Sequence, residues 1–560
     1  MMVHLSPFVI AATVLQLRSA VAAGPGYLQL DTVRKQHDNG PNWYDRLVKR
    51  ADPHELKVSH PRNFYYTVNI TVGDPPQEFQ ANLDTGSSDL WVIDKDNPLC
   101  AKTDEQWQMA FQYDEYIACN MSGTFDPDAS TSLNKTDEDC YFAYGGTGTA
   151  KGKWAYDDVG IAGTTIKQMK LGIAEVANNS MVLGIGLPSG EYGVTYFNDE
   201  PYPNLPARMA QEGLINTNAY SLWLNDLDSN TGSILFGGVD HAKYEGTLQT
   251  LPIVDAAYYH HQTTLSVMMS GLTLSPKEDD SDPVQLFSGN IAVMLDSGSS
   301  MCSLPYEVVN HFGDAIDGEY ASETGQYYTR CNYEGYLEFE FNGFSIKAPF
   351  SDFLSPAGSG NEYSTYSDGT TQCFIGMQQS TYSDGPYILG DSFLRNAYVV
   401  YDLDRMEISM AQAKFGVSDS DIEAIDSNGV PSATKAQGYD QTVTAAVLSM
   451  ETVGANVDFS MTGHASTLDH TGTPLETGAS SLESFSVTPF SFSSYSMPSI
   501  SLPSDTISAT SLSVTFTAAG GGDGGGASGG GASRHNRDAL KATMALVCLF
   551  TVLTTGLLVY

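Results

Sequence analysis

The chain has 560 residues, of which 27 are Lys or Arg and 66 are Asp or Glu, for a net charge of −39. That length has room for two or three domains, and 41% hydrophobic content suffices to bury real cores. So acidic a balance excludes a phosphate-backbone binder, because nucleic-acid contacts need clustered Lys and Arg. The acidity is not confined to a tail. Residues 51–415 hold 17 basic and 50 acidic residues, a balance of −33. Such a body repels itself at neutral pH and relaxes as its carboxylates protonate, which points to an acidic working environment. Charge alone does not separate this from a merely soluble acidic surface.

In chain order, residues 8–17 are a short apolar run, followed by Ser19-Ala20-Val21-Ala22-Ala23, small residues suited to signal-peptidase cleavage. The run is too short to span a bilayer, so residues 1–23 read as a secretory signal peptide, although only His4 stands in place of the usual basic residues. Residues 24–50 are short and polar and end in the dibasic pair Lys49-Arg50, which suits a kexin-like processing protease. They read as a disposable propeptide. Secretion also makes oxidised cysteines expected. The seven cysteines (100, 119, 140, 302, 331, 373 and 548) show no CxxC pair and no His spacing that would ligate zinc.

From residue 51 to about 415 the pattern is that of strands. Residues 65–72 are β-branched and aromatic, Asp74-Pro75-Pro76 is a turn, and residues 79–83 lead into Asp84-Thr85-Gly86-Ser87-Ser88. Further on, residues 291–295 lead into Asp296-Ser297-Gly298-Ser299-Ser300. Each is an apolar strand that delivers one carboxylate at the start of a Gly-containing turn. A second element repeats as well: Val182-Leu183-Gly184 follows the first Asp turn and Ile388-Leu389-Gly390 follows the second. This duplication implies two similar lobes, 51–250 and 251–415. His260-His261 lacks HExxH context and reads as strand surface, and Gly146-Thr147-Gly148 reads as hairpin, because no helix start follows it.

Composition shifts after residue 415. Residues 431–520 hold 32 Ser and Thr with few charges, and residues 520–531 hold nine glycines. Such a segment cannot bury enough apolar surface to offset its chain entropy, so 416–519 reads as an O-glycosylated stalk and 520–533 as a linker. Gly526-Ala527-Ser528-Gly529-Gly530 matches a nucleophile elbow only formally, since no strand or helix pattern flanks it. Gly531-Ala532-Ser533, a polar spacer and the apolar run 543–560 are the three parts of a glycolipid-anchor signal, with Gly531 as the attachment point and 534–560 removed. A tail-anchored transmembrane helix is the competing reading of that run.

Two Asp turns with paired glycine segments resemble the pepsin family of aspartic endopeptidases over residues 64–413. The flap-like Tyr144-Gly145-Gly146-Thr147-Gly148, Tyr220-Ser221-Leu222, Leu235-Phe236-Gly237-Gly238-Val239-Asp240 and Leu389-Gly390-Asp391-Ser392-Phe393-Leu394-Arg395 carry the same resemblance. It implies an all-β, bilobal fold with the active-site cleft between two lobes, and Asp84 and Asp296 as a catalytic pair acting on peptide bonds through water. No cofactor or metal is implied. Gly86 and Gly298 would let backbone amides approach the carboxylates, and Ser87 and Ser299 would donate to the outer carboxylate oxygens. Thr85 and Ser297 would tie the two turns together. Tyr144 would cover the substrate, its hydroxyl held by the indole of Trp91. Cys331 and Cys373 match the family's second-lobe disulfide, and Cys100 and Cys119 would bracket an acidic loop as in fungal members. Cys140 and Cys302 look like buried free thiols, with pairing of Cys140 to Cys100 or Cys119 left open. Asn69, Asn120, Asn134 and Asn178 open glycosylation sequons.

Signal, dibasic propeptide, protease body, Ser/Thr stalk and lipid tail together resemble the yapsin-type cell-surface proteases of fungi. The expectation is a monomeric, glycolipid-anchored endopeptidase that favours Lys or Arg sites at acidic pH. Its rivals are a catalytically silent wall mannoprotein on the same fold and a soluble secreted or vacuolar protease.

Overall fold

Strand formation follows from the alternation of apolar and polar residues seen in Phe64–Val72, where Tyr66, Val68, Ile70 and Val72 are buried while Asn69 faces out. The computed structural model describes residues 26–36 and 64–440, apart from 102–116, 118, 146–147, 228, 230, 255–263, 276–282, 322–325, 360–361 and 381–386. The first lobe contains β1 (Leu28–Gln36), β2 (Phe64–Val72), β3 (Gln77–Asp84), β4 (Trp91–Ile93), β5 (Asn134–Ala143), β6 (Thr149–Ile161), β7 (Thr164–Ala177) and β8 (Val182–Gly184). A linking layer follows, with β9 (Ala219–Trp223), β10 (Thr231–Phe236), β11 (Gly238–Asp240) and β12 (Tyr244–Pro252). The second lobe opens with β13 (Ser266–Ser275) and β14 (Val284–Leu295).

One continuous sheet runs from Thr434–Lys435 through β12, Glu407–Ala413, Ala397–Asp402, β9, β10, β1, β2, β6 and β7 to β4. A second sheet orders Ser345–Pro349, Tyr336–Glu340, β13, β14, Tyr387–Leu389, Cys302–Leu304 and Met377–Gln379. The expected duplication appears as the same parallel pairing in each lobe. In the first, β3 lies against β8 with Leu83 opposite Leu183 and Asp84 opposite Gly184. In the second, β14 lies against Tyr387–Leu389 with Met294 opposite Ile388 and Leu295 opposite Leu389. The architecture is thus all-β and bilobal, as expected.

Folded strands lie on the far side of two expected boundaries. The segment before Lys49-Arg50 is no loose appendage: β1 sits between β10 and β2, pairing Leu28 with Phe236 through Val33 with Thr231, and Val33 with Thr67 through Gln36 with Phe64. Leu28 joins the core and Thr32 is fully buried, so removing β1 would open the sheet in its middle. Nor does the folded body stop at 415. Ile422–Ala424 pairs with β11, Thr434–Lys435 adds a parallel strand beside β12, and the Gly438 amide donates to the Asn342 carbonyl at 2.7 Å. Ile425 and Ala436 are buried, and Ile425, Val430 and Ala433 pack on Trp223, Tyr398 and Val400. Residues 416–440 are therefore a strap over the linking sheet, because that sheet's apolar face needs a cover. The signal, the dibasic pair, the stalk beyond 440, His260-His261 and Gly531 lie outside the described residues.

Candidate active site

Strand β3 ends at Asp84 and β14 ends just before Asp296, and both carboxylates are buried, 5% and 8% exposed. The turns that follow lock together. Thr85 Oγ1 donates to the Leu295 carbonyl at 2.7 Å and accepts from the Ser297 amide at 2.9 Å. Reciprocally, Ser297 Oγ donates to the Leu83 carbonyl at 2.8 Å and accepts from the Thr85 amide at 3.2 Å. The hydroxyl that Ser297 shares with threonine is thus what the turn requires. Each lobe satisfies buried backbone groups of the other, which fixes where the two carboxylates stand.

Glycine is required in both turns. A Cβ on Gly86 would lie 2.5 Å from Cγ of Asp296, and one on Gly298 would lie 2.4 Å from Oδ1 of Asp84. Any larger residue would push the carboxyls apart. The Gly86 amide donates to Asp84 Oδ1 and the Gly298 amide to Asp296 Oδ1, each at 2.8 Å. Ser87 Oγ donates to Asp84 Oδ2 at 2.5 Å, as expected. Ser299 departs from expectation: its hydroxyl donates to the Met301 carbonyl at 3.0 Å. A short polar side chain readily satisfies backbone two residues on, and here that local bond wins over the carboxylate.

The electrostatics follow this asymmetry. Burial raises both acids above the ordinary aspartate range; for Asp84 the Ser87 hydroxyl opposes the rise, whereas for Asp296 the Asp84 charge adds to it. The two side chains share a hydrogen bond, and Asp296 is the one pushed well up. Two buried carboxyls in contact hold one proton between them more cheaply than they bear two charges. Tyr144 closes the hairpin β5–β6, and the indole N–H of Trp91 donates to its hydroxyl at 2.6 Å. Trp91 is fully buried, with Phe142 stacked 6.2 Å from it, so the tyrosine is held by a rigid support. Among the described residues no group of three or more His, Cys, Asp or Glu could hold a metal ion.

The family model for eukaryotic aspartyl proteases matches residues 65–413, and both Asp turns and the flap tyrosine fall within that match. The chain belongs to that family. It is 34% identical to the aspartic proteinase yapsin-3 of Saccharomyces cerevisiae over 425 residues, covering 73% of this chain and 77% of that one. It is 36% identical to the probable aspartic-type endopeptidase opsB of Aspergillus fumigatus over 420 residues, covering 73% and 81%. Among solved structures it is similar to the aspartic proteinase from Irpex lacteus, at 18% identity and TM-score 0.49, covering 71% of this chain and 99% of that one.

In this aspartic-type endopeptidase the cysteines pair as the resemblance implied: Cys100 with Cys119 and Cys331 with Cys373 are disulfides. Cys140 and Cys302 are buried free thiols, and burial raises them to about 12 and about 11 respectively. Of the sequon asparagines, Asn69 and Asn134 are exposed, whereas Asn178 Oδ1 accepts from the Thr149 amide at 2.7 Å near the base of the flap. Asn120 lies in the short helix Cys119–Ser122, and its side chain is outside the described residues.

Several buried polar groups around the pair escaped the sequence reading. Asn82 shares the face of β3 with Asp84, two residues on, and its Oδ1 is buried without a partner. Both carboxylate oxygens of Asp391 are likewise unpartnered, and burial raises that acid well above the ordinary range. Asp89 and Glu191 form a further buried acid pair, bridged by Tyr202. The period-two spacing of Asn82 from Asp84 was a signal in the sequence; nothing local marks Glu191, whose burial depends on a loop folding over it.

Proposed function

We propose that Asp84 and Asp296 hydrolyse peptide bonds as an acid–base pair, Asp84 ionised and Asp296 protonated. Asp84 accepts a proton from the attacking water, and Asp296 donates to the scissile carbonyl as charge develops on its oxygen. The observation that carries this reading is the interlocked pair of turns, in which each glycine leaves room only for the opposite lobe's carboxyl. Ser87 and the Gly86 amide favour the ionised state of Asp84, while Tyr144 covers the substrate from the flap. Ser299 supports the second turn through the Met301 carbonyl. This shared-proton behaviour is the general one of aspartic proteases.

The protease acts, in this reading, at the cell surface. It enters the secretory pathway, is cut after Lys49-Arg50 by a kexin-like protease and is held through a glycolipid at Gly531. Support comes from the sequence pattern and from the similarity to a protein named yapsin-3. Cleavage beside Lys or Arg is favoured by the −33 balance of the body. Purified Asp84→Asn and Asp296→Asn chains should lose peptidase activity while keeping the wild-type circular dichroism spectrum. Undiminished turnover by either variant would remove the pair assignment. Profiling a mixed peptide library tests the preference: cuts clustered at Leu and Phe would exclude it and leave the protease standing.

A further inference from the structure

Residues 191–202 leave the first lobe and return to it with both ends pinned. The Tyr202 amide donates to Oε2 of Glu191 at 2.9 Å, the Tyr202 hydroxyl to Oδ1 of Asp89 at 2.7 Å, and the Tyr192 amide to Oδ2 of Asp89 at 2.8 Å. Asp89 and Glu191 are buried, so the loop is a fixed feature of the surface. Compact loops with joined ends commonly carry function.

Between those ends the helix Tyr192–Phe197 displays large aromatic side chains to solvent. Tyr196 is 56% exposed and Phe197 50%, and Tyr141 on the neighbouring strand β5 is 36% exposed. Tyr192 gathers them: its ring lies 4.5 Å from Tyr196, 5.8 Å from Phe197 and 5.4 Å from Tyr141. Tyr192 also lies 6.4 Å from Phe142, which stacks on Trp91, the residue that holds the flap tyrosine. A line of rings therefore runs from the exposed face to Tyr144. Exposed aromatic groups of this kind mark binding surfaces.

The rim of the patch carries more acids than bases. Asp137, Glu138 and Asp139 on β5 and Asp199 and Glu200 after the helix are all exposed; Lys153 pairs with Asp139 at 2.6 Å and Lys151 stands opposite Tyr141, while residues 191–202 contain no Lys or Arg. Aromatic faces beside carboxylates suit Lys and Arg side chains, whose stems lie on rings while their charges meet acids. We propose that this ledge is a substrate exosite, which binds a basic, apolar segment of a protein substrate outside the catalytic cleft. The inference rests on the cleft assigned above, since continuity with the flap is what directs a substrate towards it. The ledge would add affinity for long substrates and leave the bond-breaking step unchanged.

The experiment uses the full chain and the double variant Tyr196→Ser/Phe197→Ser, both positions being exposed and outside the catalytic machinery. Two peptides share one cleavable sequence; the longer carries an extension containing Lys, Arg and Leu. The variant should raise KM about tenfold on the long peptide, in line with the loss of aromatic contacts at an interface, with kcat unchanged. Kinetics on the short peptide should stay at wild-type values. Equal kinetics of variant and wild type on both peptides would overturn the exosite, and so would an equal loss on both. Unchanged peptide kinetics together with loss of binding to a β-glucan oligosaccharide would give the ledge to a glycan instead. Failure of the unaltered chain to cut the short peptide would count against the assigned cleft, a result separate from all of these.

Discussion

Replacing Thr85 by valine tests the interlock on which the site depends. The side chain is 1% exposed, and valine keeps its shape while deleting the hydroxyl. Two buried backbone groups then change state. The Ser297 amide loses the 2.9 Å acceptor it had in Thr85 Oγ1, and the Leu295 carbonyl loses a 2.7 Å donor, keeping only the long 3.5 Å contact from the Tyr401 hydroxyl. An orphaned buried group costs about 1–3 kcal/mol, so the variant should be destabilised by roughly 2–4 kcal/mol. That is a large part of the ~5–15 kcal/mol that holds a typical domain folded. Urea unfolding at mildly acidic pH reads the loss directly, and Thr85→Ser, which keeps the hydroxyl, should stay within about 1.5 kcal/mol of wild type. The partner substitution Ser297→Ala removes the mirror-image bonds, and the two should couple in a double-mutant cycle because they share partners. A Thr85→Val chain within about 1 kcal/mol of wild type, with full kcat, would show that the lobes are positioned by something else.

Gly86→Ala should abolish activity with only a modest loss of stability, since its Cβ would fall 2.5 Å from Cγ of Asp296; retained turnover would show that the carboxyls tolerate separation. A chain ending at 415 should be far less stable than one ending at 440, because Ile425 and its neighbours cover Trp223 and Tyr398; thermal melting of the two truncations decides it. Deleting residues 24–50 should prevent secretion of folded protein by emptying the slot between β10 and β2, and secretion at wild-type level would refute that. Glu191→Gln should raise thermal stability at neutral pH and leave it unchanged at pH near 4, and parallel pH–stability curves for variant and wild type would refute the assignment of that slope.

Much of the site was legible because its signals are local. An Asp-x-Gly turn after an apolar strand needs no distant information, and its recurrence after residues 291–295 exposed the duplication. The parallel partners at Val182–Gly184 and Tyr387–Leu389 were legible for the same reason. Ser299 was misjudged because its hydroxyl has two acceptors within reach, and sequence does not rank the Met301 carbonyl against the Asp296 carboxylate. The strap was missed because residues 416–440 are polar and turn-rich, and their few apolar members gain meaning only from the face they cover. The pairing of strand β1 is not legible because a dibasic pair is read along the chain, whereas β1 is held by strands that lie far from it in sequence.

The buried acids and the surface charge both favour acidic conditions, by different routes. Surface carboxylates repel one another once ionised, and acidification relieves this without any change in packing. Buried carboxyls act through linkage. Burial raises Glu191 from its ordinary value to about 9, and burial likewise raises Asp89 and Asp391. Below the ordinary carboxylate range, folded and unfolded chains both hold these protons, and stability does not depend on them. Above it the unfolded chain has released the proton while the folded one retains it, so each such group lowers stability by up to about 1.4 kcal/mol per pH unit until its folded value is reached. For Glu191 that window runs from the ordinary glutamate range up to about 9. The catalytic pair shares the cause, since burial also raises Asp84 and Asp296. Loss of the shared proton and loss of stability therefore proceed in the same direction as pH rises. A first lobe that keeps Asp89 and Glu191 buried beneath the loop 191–202 gives up neutral-pH stability, and what it gains is a rigid base for the aromatic ledge and a fixed support for Trp91 and the flap. That exchange costs little where the unfolded chain also keeps those protons, near and below the ordinary carboxylate range.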